Sequence, residues 1–248
     1  MSLINSVQYD KYFHNHFAVA IFTGKIQHFS KQNDFSMKKY SVELIGTFFL
    51  VFTAVLTTND PAIAHLAPFA IGAMYMAMIY AGSHISGAHY NPAVTLAAFI
   101  RGKIETADAI VYIFFQIMGA ASAAAIGVYL HDCGGGAEIV MHANPDPIGS
   151  FLAEFLGTFA LAYVFLNVST TQTTAGNSFH GLAIGFAVTA ALYAIHNISG
   201  GAINPAVVVG GTIAGMFSGG DIWIYLAGTL GGGAAAATVF SGVYGREE

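Results

Sequence analysis

The chain has 248 residues, 55% of them hydrophobic and only 8% charged, against roughly 25% charged in ordinary soluble domains. That balance excludes a water-soluble globule, and a formal net charge of −5 removes the basic footprint of a nucleic-acid binder. The single cysteine, Cys133, has no companion for a disulfide or a metal site.

In chain order, residues 1–36 are polar and aromatic, with Lys11, Lys25 and Lys31. Their longest apolar run, Phe17 to Phe22, is too short to span a bilayer, and no apolar segment with a small-residue cleavage site follows a basic start. These residues read as a tail. At Met37-Lys38-Lys39 the character changes to that of a membrane span, so Met37 is itself a candidate start. Apolar spans are then expected at Tyr40 to Thr58, Ile63 to Gly82, Ala107 to Leu130, Gly149 to Val168, Phe179 to His196 and Ile222 to Tyr244. Two further apolar segments, Asn91 to Ile100 and Asn204 to Gly215, are too short to cross. Each is expected to be a re-entrant half-helix, which membrane depth tolerates only inside protein or beside a wet cavity. The 29 glycines lie within the apolar stretches, as close helix packing in lipid requires. The fold class is therefore an all-α membrane protein with six transmembrane helices and two re-entrant half-helices.

Charge placement tests that path. All eight basic residues fall on one side: the three tail lysines, Lys38 and Lys39, Arg101 and Lys103 after the first half-helix, and Arg246. The opposite loops carry Asp60, Asp132, Glu138, Asp146 and Asp221 and no lysine or arginine. The positive-inside rule then puts both termini in the cytoplasm.

The two halves repeat. Glu43-Leu-Ile-Gly46-Thr47-Phe48 recurs as Glu154-Phe-Leu-Gly157-Thr158-Phe159, and Ile85-Ser-Gly-Ala-His-Tyr-Asn91-Pro92-Ala93-Val94 recurs as Ile198-Ser-Gly-Gly-Ala-Ile-Asn204-Pro205-Ala206-Val207. With three spans per copy, the second copy enters the membrane from the other side, so the repeat is inverted and the half-helices point at each other. Residues 37–248 form one domain, with halves at about 37–148 and 149–248. Proline at the second position of each box suits the first turn of a helix, which makes Asn91 and Asn204 N-caps. Each half-helix then presents about half a positive charge to the centre.

Over residues 37–248 the spans, the repeat and both Asn-Pro-Ala boxes (Asn91, Pro92, Ala93; Asn204, Pro205, Ala206) resemble the aquaporin and glycerol-facilitator family. The resemblance implies a passive channel in the cell membrane for water or small neutral solutes such as ammonia, urea, glycerol or hydrogen peroxide. In such a channel the Asn amides orient permeating water and the half-helix dipoles exclude protons and cations. It also implies a homotetramer, lipid as the surrounding partner, and a structural role for the buried carboxylates Glu43 and Glu154 as acceptors for the re-entrant loops. Four positions counted from the boxes match the family's selectivity filter: Ile71, Leu192, Gly201 and Val207, with Phe69 and Tyr193 as neighbouring alternatives to the first two. Relatives commonly carry an arginine where this chain has Val207. The ring here offers no side-chain donor, so it is expected to be apolar and wider, and poorly hydrated solutes such as ammonia are expected to pass more easily. The competing outcome is a ring that dewets.

His84, His89, His180 and His196 read as satisfied packing residues. No nucleophile with a base and no His/Cys/Asp/Glu cluster has enzyme or metal spacing, so neither an enzyme nor a cofactor is expected. A secondary transporter shares inverted repeats and broken helices, but its coupling residue would have to be Glu43 or Glu154. A closed-pore junction protein is the other alternative.

Overall fold

A computed structural model describes residues 37–136, 139 and 146–245. The expectations for the tail, Glu138 and Arg246 lie outside the described residues. Tyr40–Glu248 form one compact unit. Its helices are α1 (Met37–Thr58), α2 (Ala67–Ser86), α3 (Pro92–Ile100), α4 (Thr106–Cys133), α5 (Pro147–Thr170), α6 (His180–Ser199), α7 (Pro205–Ile213) and α8 (Ile222–Tyr244). Short 3-10 turns precede α2 and α6.

Six of these helices, α1, α2, α4, α5, α6 and α8, are long and apolar enough to cross a membrane. The other two, α3 and α7, have 9 residues each, about 14 Å at 1.5 Å per residue, or half of a hydrocarbon core about 30 Å thick. The second and fifth spans run on to Ser86 and Ser199, past the expected ends at Gly82 and His196. Nothing earlier breaks them, and each stops where a glycine takes the left-handed cap, Gly87 at φ 84° and Gly200 at φ 86°.

The two halves interlock. α2 lies against α6 and α5 against α8, while α3 packs on α8 and α5 and α7 packs on α4. Each half-helix is thus held partly by spans of the opposite half. Gly72 and Gly185 occupy matching positions in the repeat. A Cβ on Gly72 would lie 2.5 Å from the Gly185 carbonyl oxygen, and one on Gly185 would lie 2.7 Å from that of Gly72. The pseudo-two-fold axis therefore passes between two backbones in direct contact, which only the smallest side chain permits.

Outside the bundle the surface is apolar. Between 33% and 44% of each spanning segment is buried, and Phe49, Ile110, Phe114, Leu156, Phe186 and Trp223 are among the exposed large side chains. An apolar surface of that extent is stable in hydrocarbon rather than in water. The chain is an integral, multi-pass membrane protein.

Candidate functional site

Both half-helices begin in the same way. Asn91 (φ −156°, ψ 120°) and Asn204 (φ −157°, ψ 116°) are extended N-caps. Asn91 Oδ1 accepts from Ala93 N at 2.8 Å and Val94 N at 3.4 Å, and Asn204 Oδ1 accepts from Ala206 N at 2.9 Å. Pro92 and Pro205 occupy the first turn, where a missing N–H costs nothing. The two amides then reach across the axis. Asn91 Nδ2 donates to the Ile203 carbonyl at 2.9 Å, and Asn204 Nδ2 donates to the Tyr90 carbonyl at 2.9 Å. Each asparagine is tied to the residue preceding the other, and each amide keeps its second N–H.

Those two carbonyls are aimed by strained backbone. Tyr90 and Ile203 have φ of 49° and 44°, a left-handed region that costs on the order of 1–3 kcal/mol for a bulky residue. Glutamates hold them there. Glu43 Oε2 accepts from Tyr90 N at 2.7 Å and Glu154 Oε2 from Ile203 N at 2.6 Å. The remaining oxygens pin the rest of each loop: Glu43 Oε1 accepts from Ser86 Oγ and His89 N, and Glu154 Oε1 from Ser199 Oγ and Ala202 N. Gly46 and Gly157, three residues after each glutamate, make room for the strained side chains. A Cβ on Gly46 would overlap the Tyr90 ring, and one on Gly157 would crowd Ile203.

The first loop carries additional polar support. Gln116 Nε2 donates to Glu43 Oε2 at 2.8 Å and to Thr95 Oγ1 at 3.0 Å. The Thr95 hydroxyl donates to the Asn91 carbonyl, so it can only accept from His89 Nδ1 at 3.1 Å, which fixes the tautomer of His89. The matching positions of the second half, Thr229, Val208 and Ala202, contain no such network. His180 contacts Ser83 and the Asn177 carbonyl, and His196 the Gly200 carbonyl, so these histidines are packed and partnered as expected.

One cavity joins the expected site residues. Asn91, Asn204, Ile71, Leu192, Gly201 and Val207 all line it. Phe69 and Tyr193 are 53% and 51% exposed and do not line it. Val94 is fully buried in the bundle. None of Ile71, Leu192, Gly201 and Val207 brings a side-chain donor to the cavity. The cavity volume open to water is about 20 Å³, room for about one molecule. Leu192 leans into the space beside Gly201, where a Cβ would meet its Cδ2 at 3.0 Å.

Tyr75 also lines the cavity, and its hydroxyl donates to the His89 carbonyl at 2.5 Å. Sequence reasoning did not single it out. The available signal was the repeat itself, because counting back from Ser86 and Ser199 sets Tyr75 against Val188.

Residues 30–244 match the model of the major intrinsic protein family. The chain belongs to that family. Among its relatives, the glycerol uptake facilitator protein-like 6 of Lactiplantibacillus plantarum is 38% identical over 77% of this chain and 90% of its own length. Aquaporin NIP1-1 of Arabidopsis thaliana is 33% identical, covering 84% of this chain and 74% of its own. The aquaglyceroporin of Plasmodium falciparum superposes with a TM-score of 0.73, covering 84% of this chain and 96% of its own. At 19% identity that likeness shows the fold.

Proposed function

We propose that this major intrinsic protein is a passive channel for water and small uncharged solutes, with the pore running past Asn91 and Asn204. The observation that carries the reading is that both asparagines line one cavity while capping half-helices that face each other. Each amide spends one N–H on the opposite loop and offers the other to the lumen. A water there accepts from the asparagines and directs its own hydrogens outward, which interrupts a proton-conducting chain. The two half-helix N-termini raise the potential for cations at the same place. Ile71, Leu192, Gly201 and Val207 form the selectivity filter, and Glu43 and Glu154 hold the loops. Glu43 accepts four hydrogen bonds and Glu154 three, which commits both carboxylates to holding the loops and disfavours a carrier.

In the membrane, Arg101 and Lys103 in the joint after α3, with Lys38 and Lys39, set both termini in the cytoplasm of a cell membrane. The assembly is a homotetramer with one pore per chain, each channel domain spanning residues 37–248.

Purified protein in liposomes, challenged with water, ammonia, urea, glycerol and hydrogen peroxide, tests the reading. Flux is expected to rise linearly with the gradient, and that of water, urea, glycerol and hydrogen peroxide to ignore imposed proton or sodium gradients. Saturation at millimolar solute, or flux coupled to an ion, would identify a carrier instead.

A further inference from the structure

We infer that Tyr75 is a second specificity-determining residue, placed at the centre of the pore rather than at the filter; this rests on the channel reading. Residues related by the inverted repeat mark the centre, because the axis carries one member of each pair onto the other. Three such pairs line the cavity: Asn91 with Asn204, Leu50 with Leu161, and Tyr75 with Val188. The first two pairs are identical in residue type, and the third is not. The centre is therefore symmetric except for one phenol ring standing where the other half has an isopropyl group.

The ring is held in place. Tyr75 is 1% exposed, and its hydroxyl is anchored on the His89 carbonyl. The anchor has two consequences. The ring cannot swing aside without giving up a buried hydrogen bond, and one lone pair of the His89 carbonyl is already used. Val188 has no donor for the matching Ala202 carbonyl, and both residues line the cavity.

The cavities flank this point. The one containing Tyr75 ends in the first loop at Asn91. A second, lined by Ser83, Gly87, His180 and the turn between α5 and α6, shares no lining residue with it. His89, which Tyr75 grips, lies between Gly87 and Asn91 in that loop. Tyr75 thus stands at the divide between the two halves of the lumen, beside a space sized for about one water. A triol the size of glycerol meets a steric barrier there in addition to the filter, and removing the ring lowers it.

The test compares wild type, Tyr75→Val, Tyr75→Phe and Val188→Phe in liposomes, with glycerol and water permeability measured on the same preparation and elution volume checked for assembly. Tyr75→Val copies the other half and is expected to raise the glycerol-to-water permeability ratio about tenfold, equivalent to about 1.4 kcal/mol of barrier. Tyr75→Phe keeps the ring and is expected to raise it far less, which assigns the effect to bulk rather than to the hydroxyl. Val188→Phe adds a second ring at the symmetric place and is expected to lower water flux about tenfold, giving a readout that survives if the valine variant does not assemble. A conducting wild type whose ratio is unchanged in Tyr75→Val, or whose water flux is unchanged in Val188→Phe, overturns the role of Tyr75 alone. Wild type and all variants indistinguishable from empty vesicles overturns both this inference and the channel reading.

Discussion

Replacing Asn204 by aspartate, or Asn91 by aspartate, is expected to raise cation leak through the protein about a hundredfold while the half-helices remain intact. Aspartate caps a helix as well as asparagine does, so the bonds from Ala206 N, or from Ala93 N and Val94 N, survive. The cross-axis bond does not. Asn204 Nδ2 donates to the Tyr90 carbonyl at 2.9 Å, and a carboxylate oxygen there faces a carbonyl oxygen with no proton between them. The lumen also gains a full negative charge where two half-helix N-termini supply about one positive charge between them. A cation about 5 Å from that positive charge meets a barrier of about 3 kcal/mol at an effective dielectric of about 20, and the aspartate cancels it. Vesicle sodium and potassium flux, measured beside water flux, checks the expectation. Unaltered cation and water flux in both variants would show that the asparagines do not face the lumen.

Val207→Arg is expected to lower the ratio of ammonia or urea permeability to water permeability about thirtyfold. Val207 lines the cavity with Ile71, Leu192 and Gly201, and none of the four has a side-chain donor. A guanidinium adds several donors and a fixed charge. Its hydrogen bonds to a permeant are worth about 2 kcal/mol, and they favour water over solutes that do not fit the donor fork. An unchanged ratio would remove Val207 from the constriction.

The elements of the fold were legible because lipid forces a simple code. Apolar runs of spanning length and two runs of half that length give six spans and two half-helices before any contact is known. The caps were legible for a similar reason: asparagine before proline at the start of an apolar segment has one common use, and here it has it twice. What Asn91 and Asn204 do with their amides was not legible. The partners, the Ile203 and Tyr90 carbonyls, become acceptors only because two residues adopt positive φ, and no local pattern announces a positive φ at tyrosine or isoleucine. Gly46 and Gly157 looked like generic helix-packing glycines, yet each makes room for one of those strained side chains.

Beside the filter positions, Leu192 Cδ2 lies 3.0 Å from where a Cβ on Gly201 would stand, a contact that counting residues from the boxes does not announce. Tyr75 was overlooked because α2 is apolar throughout and a tyrosine in such a span passes for packing. Its alignment with Val188 becomes informative only when the two halves are known to share one cavity.

In the proposed channel, permeation follows a continuous wet path past Asn91 and Asn204 and does not cross lipid or ride a moving carrier. The temperature dependence of water flux in liposomes tests it most directly. Wild-type protein is expected to give an activation energy well below that of protein-free vesicles, with Asn91→Asp and Asn204→Asp altering ion exclusion in the same preparation. An activation energy equal to that of the bare bilayer, at full incorporation of correctly assembled protein, would contradict it.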